Sequence, residues 1–245
     1  MPSMPYHEGE LAVQRRAGLT AMAEKVGRIV GSDIPAQFAQ FLAHRPFVVT
    51  STVAADGAVT ASLLVGRSEA LDPRTIRIDA QRDERVFADV AATGTIGLLA
   101  IDFANRRRIR INGTAIADGD ALVVTTREVY SNCPQYIHVE PTPQDTFFIA
   151  TAHPTAGADA SHRGGPAGFV TIEGSRYSWA DFAGNTMFNT LGNLAVNPRC
   201  GLLFVDFETG VMTQVRGRGS IAWDGEERRV VVEADEVIRR AAGTP

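Results

Sequence analysis

Two short segments in the second half of the chain carry most of the side chains that could do chemistry. The first reads DASHRGGPAGF over residues 159–169, and the second reads DFAGNTMFNTLGN over residues 181–193. Together they offer a guanidinium group, hydroxyl groups and amides, which are the hydrogen-bond donors that suit an anionic ester. Glycines let backbone N–H groups approach such a ligand closely. The two segments therefore predict a binding site for a phosphate ester.

The candidate residues lie at a predicted bend and along a predicted helix. We expect a polar hairpin bend at residues 161–165 and a helix over residues 185–196, whose N-terminal dipole favours an anion. The asparagines of this helix recur every four residues and so share one face. The candidate ligand-binding residues are Ser161, His162, Arg163, Gly164, Asn185, Asn189, Thr190 and Asn193. The structural alternatives are a hairpin tip without a ligand and asparagines that serve only as caps.

Composition limits the classes to which the protein can belong. The 245 residues are 44% hydrophobic and 21% charged, with a net charge of −4, which is ordinary for a globular protein. Nucleic-acid binders usually carry a basic face, and no apolar run approaches the roughly 20 residues of a membrane-spanning helix. The N-terminus also lacks the apolar region of a signal peptide. We therefore expect a soluble, cytoplasmic protein that binds neither nucleic acid nor a membrane.

The sequence contains an internal repeat. Residues 97–115 (GLLAIDFANRRRIRINGTA) align without a gap to residues 201–219 (GLLFVDFETGVMTQVRGRG), and six of nineteen positions are identical. Average residue usage gives identity at roughly one position in fifteen. A period of about one hundred residues is too long for a solenoid, so the repeat predicts duplication of a whole domain. Two unrelated hairpins with the same alternating pattern are the alternative.

The strand-rich pattern of both halves predicts a mainly β fold with few α elements. Short antiparallel sheets need their edges closed or covered, and a small barrel does this. Helical periodicity is confined to residues 1–46 and to one short helix in each half. We therefore expect two tandem small barrels behind an N-terminal helical segment.

The same residues resemble a known family. SHRGGPAGFV, followed by DFAGNTMFNTLGNLAVNPRCGLLFVDF and then VRGRG, is similar to the predicted flavin-nucleotide-binding branch of the pyridoxamine 5′-phosphate oxidase superfamily. The resemblance spans about residues 6–222 and is most specific in the second half. The Arg-x-x-x-Leu-Lys and Ser-Arg-Lys motifs of the vitamin B6 enzymes are missing from the sequence. We therefore do not expect a true pyridoxamine-phosphate oxidase.

The resemblance implies tandem split β-barrels with FMN at their interface, and the repeat suggests that both barrels belong to one chain as a pseudo-dimer. The bend and the helix start would hold the ribityl phosphate, and Arg216 or Arg218 would face the phosphate or the flavin ring. Thr60, Ser62 and Gly66 replace the cluster in the first half, which predicts one good flavin site and a degenerate partner. The predicted parts are a helical segment (1–46), a degenerate first half (47–130), a connection (131–146) and a second half with the phosphate site (147–245).

The run Arg106–Arg108 has two interpretations. Together with Asn112 it could reach across the pseudo-interface, or it could mark an exposed edge strand. The sequence does not separate them.

Three functions stay open. The first is a flavin-dependent oxidoreductase of unknown substrate, without an identified general base. The second is an electron-carrier module that works with a redox partner protein, and the third is a haem binder on the same barrel. FMN is the expected cofactor, although the residues alone do not separate it from FAD or the deazaflavin F420; a further homodimer also stays open. The five histidines show no metal-ligand spacing, so we expect no metal site.

Overall fold

The computed structural model describes residues 5–241. Its helices are α1 (Glu8–Arg16), α2 (Thr20–Gly27), α3 (Ala36–Ala43), α4 (Glu84–Thr93) and α5 (Asn189–Val196). Its strands are β1 (Phe47–Val53), β2 (Val59–Asp72), β3 (Thr75–Ala80), β4 (Thr95–Asp102), β5 (Arg107–Asp118), β6 (Ala121–Ser131), β7 (Thr146–His153), β8 (Gly157–Gly164), β9 (Thr171–Glu173), β10 (Arg176–Ala180), β11 (Arg199–Val205), β12 (Val211–Asp224) and β13 (Glu227–Ala241). The predicted mainly β class is confirmed. None of the helices in this described range is long and apolar enough to cross a membrane.

The first half forms a closed barrel of six strands in the order β1-β2-β3-β6-β5-β4. Side chains that alternate along the strands fill its interior, among them Leu64, Ile76 and Leu98. Helix α4, which connects β3 to β4 along the chain, packs against β1, β4 and β5 of this barrel. It begins after Asp83, whose carboxylate accepts hydrogen bonds from two backbone N–H groups of the first turn, and it ends at Gly94 in the left-handed conformation.

The second half repeats this strand order but does not close. Its sheet runs β8-β7-β11-β12-β13-β10-β9. In the first half, strand β2 pairs with β1 and then with β3. In the second half, two separate strands form the matching pairs: β8 pairs with β7, and β9 pairs with β10. Residues 165–170 interrupt the strand at this point. The second barrel is therefore split between β8 and β9.

The two halves pack against each other through glycines at matched positions of the repeat. Gly97 on β4 lies so close to β8 that a Cβ atom would come 2.6 Å from the Ala158 carbonyl oxygen. Gly201 on β11 lies equally close to β2, where a Cβ atom would come 2.7 Å from the Ala61 nitrogen. Any side chain at either glycine would push the barrels apart. The chain is thus a pseudo-dimer of its own two halves.

Hydrogen bonds across this interface follow the same approximate twofold. Gln214 Nε2 donates to Ser62 Oγ at 3.1 Å. Arg110, at the matched position of the repeat, donates from Nη2 to Ser161 Oγ. The duplication therefore includes the contacts between the halves as well as the strand order.

Two predictions of local structure are wrong. Residues 161–164 lie inside strand β8, and the turn of that hairpin is at 154–156, so residues 161–165 are not a bend. The helix predicted over 185–196 begins only at Asn189, because Thr186 and Phe188 both adopt a left-handed φ of 62°. A right-handed helix cannot pass through that conformation.

Helix α1 packs on α5 and holds the segment that leads into it. Gly9 and Gly192 bring the two helix backbones into direct contact. Gln14 Nε2 donates to the Met187 carbonyl oxygen at 3.1 Å, and Asn189 Nδ2 donates to Glu10 Oε1 at 2.6 Å. The N-terminal helix therefore fixes the position of the first residues of α5.

Glu10 is buried in this contact, with 3% of its surface exposed. Its burial, with the negative charges of Asp159 and Glu128 nearby, raises the pKa of its carboxyl from 4.5 to about 8. Below pH 4.5 the carboxyl is protonated in both the folded and the unfolded state. As the pH rises toward 8, only the unfolded state releases the proton, so ionisation of Glu10 favours unfolding.

Replacing Glu10 with Gln should make the protein relatively more stable as the pH rises. The difference in the free energy of unfolding between E10Q and the native chain should grow between about pH 5 and about pH 8, by at most about 1.4 kcal/mol per pH unit. Urea unfolding at several pH values measures it. Glu24→Gln, at an exposed position of α2, is the matched control. Parallel pH profiles for E10Q and the native chain would contradict the raised pKa.

Candidate functional site

A cavity of about 90 Å³ lies where β5 of the first half meets the segment before α5 of the second half. We call it the arginine pocket, and we define it by Arg108, Tyr136, Arg163, Asp181, Asn185 and Thr186. Strand β5 contributes Arg108, strand β8 contributes Arg163, and the loop before α5 contributes the two residues with amide and hydroxyl groups. Both halves therefore build the pocket, at their interface.

Arg108 reaches across the interface from the first half. Its Nη1 lies 2.7 Å from His162 Nδ1, and its Nη2 donates to the Cys133 carbonyl oxygen at 2.9 Å. Burial, and then the charges of Arg110 and Arg163, lower its pKa to about 9. The environment of Arg108 therefore disfavours its positive charge.

His162 orients Arg108 through its ring nitrogen Nδ1. A guanidinium group can only donate hydrogen bonds, so His162 Nδ1 is the acceptor and its proton sits on Nε2. Burial, and then the neighbouring arginines, hold the pKa of His162 well below its ordinary value. The imidazole is therefore neutral, and its buried Nε2 has no partner within residues 5–241.

Arg163 is the second cation of the pocket. Its Nη1 donates to the His162 carbonyl oxygen at 3.3 Å, whereas its buried Nε has no acceptor in the described part of the chain. Burial lowers its pKa, and the partial attraction of Asp181 does not compensate. Asp181 instead pairs with Arg228 at 3.0 Å. Across residues 5–241, neither Arg108 nor Arg163 forms an ion pair with a carboxylate.

Further polar groups without partners surround these two cations. Asn185 Nδ2 and Thr186 Oγ1 are buried and make no hydrogen bond with any described residue. Native proteins pair almost all buried polar groups, and one that is left unpaired costs about 1–3 kcal/mol. The loop that carries them is also strained, since Thr186 is a β-branched residue with a left-handed φ. Strain and unmade hydrogen bonds together are typical of a ligand site.

A buried network beneath the pocket connects the predicted residues of β8 and α5. Arg110 and Asp159 form an ion pair at 2.7 Å, and each is 5% exposed. Arg110 Nη1 also donates to Asn189 Oδ1 at 3.2 Å, and Thr190 Oγ1 donates to Ser161 Oγ at 3.1 Å. The polar side chains of Ser161 and Asn189 are thus engaged within the protein. They position the pocket, and the donors without partners belong to Arg163, Asn185 and Thr186.

Two aromatic residues cover the pocket: Tyr136 from the connection between the halves and Phe182 from the loop after β10. The rings of Tyr136 and Phe182 stack at 5.4 Å between centroids. Gly164 allows this cover, because a Cβ atom there would collide with the Tyr136 carbonyl oxygen. The absence of a Cβ atom at Gly164 therefore lets the connection pack closely on β8.

Three predicted residues lie away from the arginine pocket. Asn193 donates to Thr151 Oγ1 at 3.0 Å, one turn further along α5. Arg216 Nε donates to Thr60 Oγ1 at 2.9 Å at the twofold-related position of the interface, and Arg218 is exposed on β12. The structure brings Arg163, Asn185, Asn189 and Thr190 to the pocket, with Ser161 and Gly164 beside it.

Several pocket residues were not predicted from the sequence. Arg110 lies two residues after Arg108 and points to the same face of β5, so strand alternation extended along RRRIRIN could have indicated it. Tyr136 lies in a proline-rich connection without periodicity, and Thr186 lies inside the segment predicted as helix. No sequence signal marks these two.

The closest group of metal-ligand types in the described chain is His7, Glu8 and His153. Their imidazole nitrogens are already engaged. His153 Nε2 lies 2.9 Å from Glu8 Oε1, and His7 Nε2 lies 3.0 Å from Asn193 Oδ1. The group fastens α1 to the second half.

Three solved structures illustrate the similarity to known proteins. HupZ from Group A Streptococcus is 14% identical over 40% of this chain and 93% of its own, with a TM-score of 0.35. An FMN-binding protein from Syntrophomonas wolfei is 16% identical over 49% of this chain and 95% of its own, also with a TM-score of 0.35. An F420 reductase is 14% identical over 42% of this chain and 100% of its own, with a TM-score of 0.30. No curated protein matches the chain.

The sequence model of the family described as pyridoxamine 5′-phosphate oxidase matches the chain twice, over residues 34–131 and again over residues 138–241. The two matches correspond to the two halves of the pseudo-dimer. The resemblance found in the sequence is thereby confirmed, and the chain belongs to the pyridoxamine 5′-phosphate oxidase family.

Proposed function

We propose that this protein binds FMN, with the ester phosphate in the arginine pocket, and serves as a flavin-dependent oxidoreductase. The observation that carries the proposal is the pair of half-buried guanidinium groups, Arg108 and Arg163, which lack a carboxylate partner within the described chain; the Arg163 Nε atom is itself buried and unpaired. A partly buried cation without a counter-charge is costly. A bound anion would remove that cost.

The donor set fits a phosphate monoester. Arg163 Nε, Asn185 Nδ2 and Thr186 Oγ1 are unpaired and can each donate a hydrogen bond. Two cations and several neutral donors match the double negative charge and the three free oxygens of such a group. The residues present therefore accept the cofactor that the family resemblance implies.

The size of the arginine pocket favours FMN over a dinucleotide. Whole small-molecule sites span roughly 300–1,000 Å³, whereas this cavity measures about 90 Å³. It can enclose the terminal phosphate of a ligand but not the continuation of a diphosphate into a second nucleotide. FAD fits this arrangement less well than FMN.

Each residue has a defined part in this proposal. FMN would supply the electron or hydride transfer. Arg108 and Arg163 hold the phosphate, and His162 keeps Arg108 turned toward it through Nδ1. The pair formed by Arg110 and Asp159 fixes strand β5 against β8, so both cations stay in place.

An electron carrier without a substrate of its own is the second candidate. It is favoured by the state of Asp181, the one carboxylate among the described residues of the pocket, because Arg228 already engages it. No free acid then stands ready for proton transfer to a substrate. Anaerobic mixing of the FMN-loaded protein with NADH or NADPH separates the candidates: direct bleaching of the flavin supports an oxidoreductase, and reduction by dithionite alone supports a carrier.

The purified protein should be yellow or should quench FMN fluorescence on titration. Mass spectrometry of the ligand released by heat should identify FMN. A colourless protein that shows no quenching with FMN, FAD or F420 would refute the proposal.

Arg163→Ala should weaken FMN binding by about tenfold to a hundredfold, since a hydrogen bond to a charged group contributes about 1.5–3 kcal/mol. Binding of riboflavin, which lacks the phosphate, should change little in the same variant. Isothermal titration with both ligands measures the difference. Arg107→Ala, exposed on the same strand as Arg108, is the control and should behave like the native chain.

Two results would show that the phosphate is placed wrongly. One is an equal loss of FMN affinity in R163A and R107A. The other is an equal loss of FMN and riboflavin affinity in R163A. Thermal unfolding of each variant shows whether the fold is kept.

A further inference from the structure

A cavity of about 500 Å³ lies where helix α1, the C-terminal end of α5 and strand β12 meet. We call it the tryptophan cavity, and we define it by Val13, Arg16, Leu194, Ala195, Ile221 and Trp223. Its volume is within the range of small-molecule sites. None of these residues lines the arginine pocket, so the tryptophan cavity is a separate feature of the second half.

The walls of the tryptophan cavity are apolar. Gly219, Ile221 and Trp223 lie on one face of β12, because alternate residues of a strand point the same way. Val13 of α1 and Leu194 of α5 are buried in the core of the second half and form the floor. An apolar surface of this kind suits the body of an organic ligand.

One cation stands at this cavity without a counter-charge. Arg16, in the last turn of α1, is the single charged residue among the described residues that line the cavity. Its guanidinium takes part in no ion pair and no hydrogen bond within residues 5–241. Ser220 adds one hydroxyl group. An acid group that binds here therefore meets a cation for which no carboxylate of the described chain competes.

Trp223 orients this guanidinium without using its N–H groups. Arg16 Cζ lies 4.4 Å from the centroid of the Trp223 ring. Stacking engages the face of the ring, so the N–H donors stay available in the plane of the guanidinium. Arg228, which is itself paired with Asp181 at 3.0 Å, lies 5.5 Å from the same ring and helps to fix it. Donors that are oriented before binding lose less entropy when a ligand arrives.

We propose that the tryptophan cavity binds an organic monoanion with a flat apolar body, such as an aromatic carboxylate or sulfonate. The body lies against Leu194, Ile221 and Trp223, and the acid group faces Arg16. A single guanidinium balances a single negative charge and can bind an acid group through two parallel hydrogen bonds. This inference uses none of the residues that hold the phosphate in the proposed function, so the two can fail separately.

Titration with two fluorescent probes tests the proposal. The probe 1-anilinonaphthalene-8-sulfonate combines an apolar aromatic body with one sulfonate, and N-phenyl-1-naphthylamine has the same body without the sulfonate. The native chain should bind the sulfonate with saturable fluorescence enhancement. Ala195→Trp, which fills the cavity from an exposed position of α5, should weaken this binding by about tenfold or more. Arg16→Gln should weaken it by about threefold to fivefold, as expected for an exposed ion pair, and should leave binding of the neutral amine unchanged.

Three matched variants control for general effects. Ala91→Trp adds the same ring at the exposed position of α4 that corresponds to Ala195 in the repeat, and Arg15→Gln removes the neighbouring exposed cation of α1. Both should bind the sulfonate like the native chain. Arg163→Ala should also bind it like the native chain, because the arginine pocket is a separate site.

Two titration results would overturn the proposal: no saturable binding of the sulfonate by the native chain, or equal sulfonate affinity in the native chain, A195W and R16Q. Sedimentation velocity supplies a third, because a native dimer that A195W separates into monomers would mean that a second copy of the chain fills the cavity. If A195W unfolds, the comparison of R16Q with R15Q on the two probes still decides between binding at Arg16 and binding elsewhere.

Discussion

The buried ion pair between Arg110 and Asp159 is the interaction on which the interface depends. It joins β5 of one half to β8 of the other at 2.7 Å, with both groups almost fully buried. Removing one partner of such a pair leaves an uncompensated charge and typically costs about 3–5 kcal/mol. Because Arg110 also binds Asn189, the same guanidinium fixes the start of α5. The pair therefore sets the register of both walls of the arginine pocket.

The twofold-related position of the interface shows which side chains differ between the two halves. Gln214 takes the place of Arg110 and donates to the Ala61 carbonyl oxygen and to Ser62 Oγ. Thr60 takes the place of Asp159 and accepts from Arg216, so the two matched residues form no ion pair. The close approach of Gly97 and Gly201 is kept on both sides. Backbone packing constrains the two glycines alike, whereas the side chains around them differ between the two sides of the interface. One fold therefore carries two chemically different sides of the same interface.

The sequence predicted the fold class because strand alternation and the repeat are properties of neighbouring residues. The strand-rich pattern and the one short helix in each half follow from such patterns, and the structure has both. The bend expected at 161–165 was wrong, because a run of Ser, His, Arg and Gly resembles a turn although it pairs along β7. The helix start was wrong because the left-handed conformations of Thr186 and Phe188 are imposed by tertiary contacts.

The candidate site was predictable only in part, for a similar reason. Arg163 and Asn185 could be named from the composition of their segments. The role of Arg108 could not be decided, because an arginine on a strand looks the same whether it faces solvent or a neighbouring half. Thr190 was expected to hold a ligand; it lines the pocket, and its hydroxyl donates to Ser161. Contacts between distant parts of the chain decide which polar groups stay free.

The buried polar groups without partners destabilise the folded protein. Each unmade buried hydrogen bond costs about 1–3 kcal/mol, and a left-handed residue such as Thr186 costs a similar amount. Contacts elsewhere must offset this, and the N-terminal helix supplies the nearest ones: Gln14 holds the Met187 carbonyl and Glu10 holds Asn189. Helix α1 does not line the arginine pocket, yet it keeps the strained loop in the conformation that leaves these donors without a partner in the described chain. The matched helix α4 has no such partner helix among the described contacts, and no strained loop precedes it. The strain and its support therefore occur together, on the side of the interface where an anion is proposed to bind.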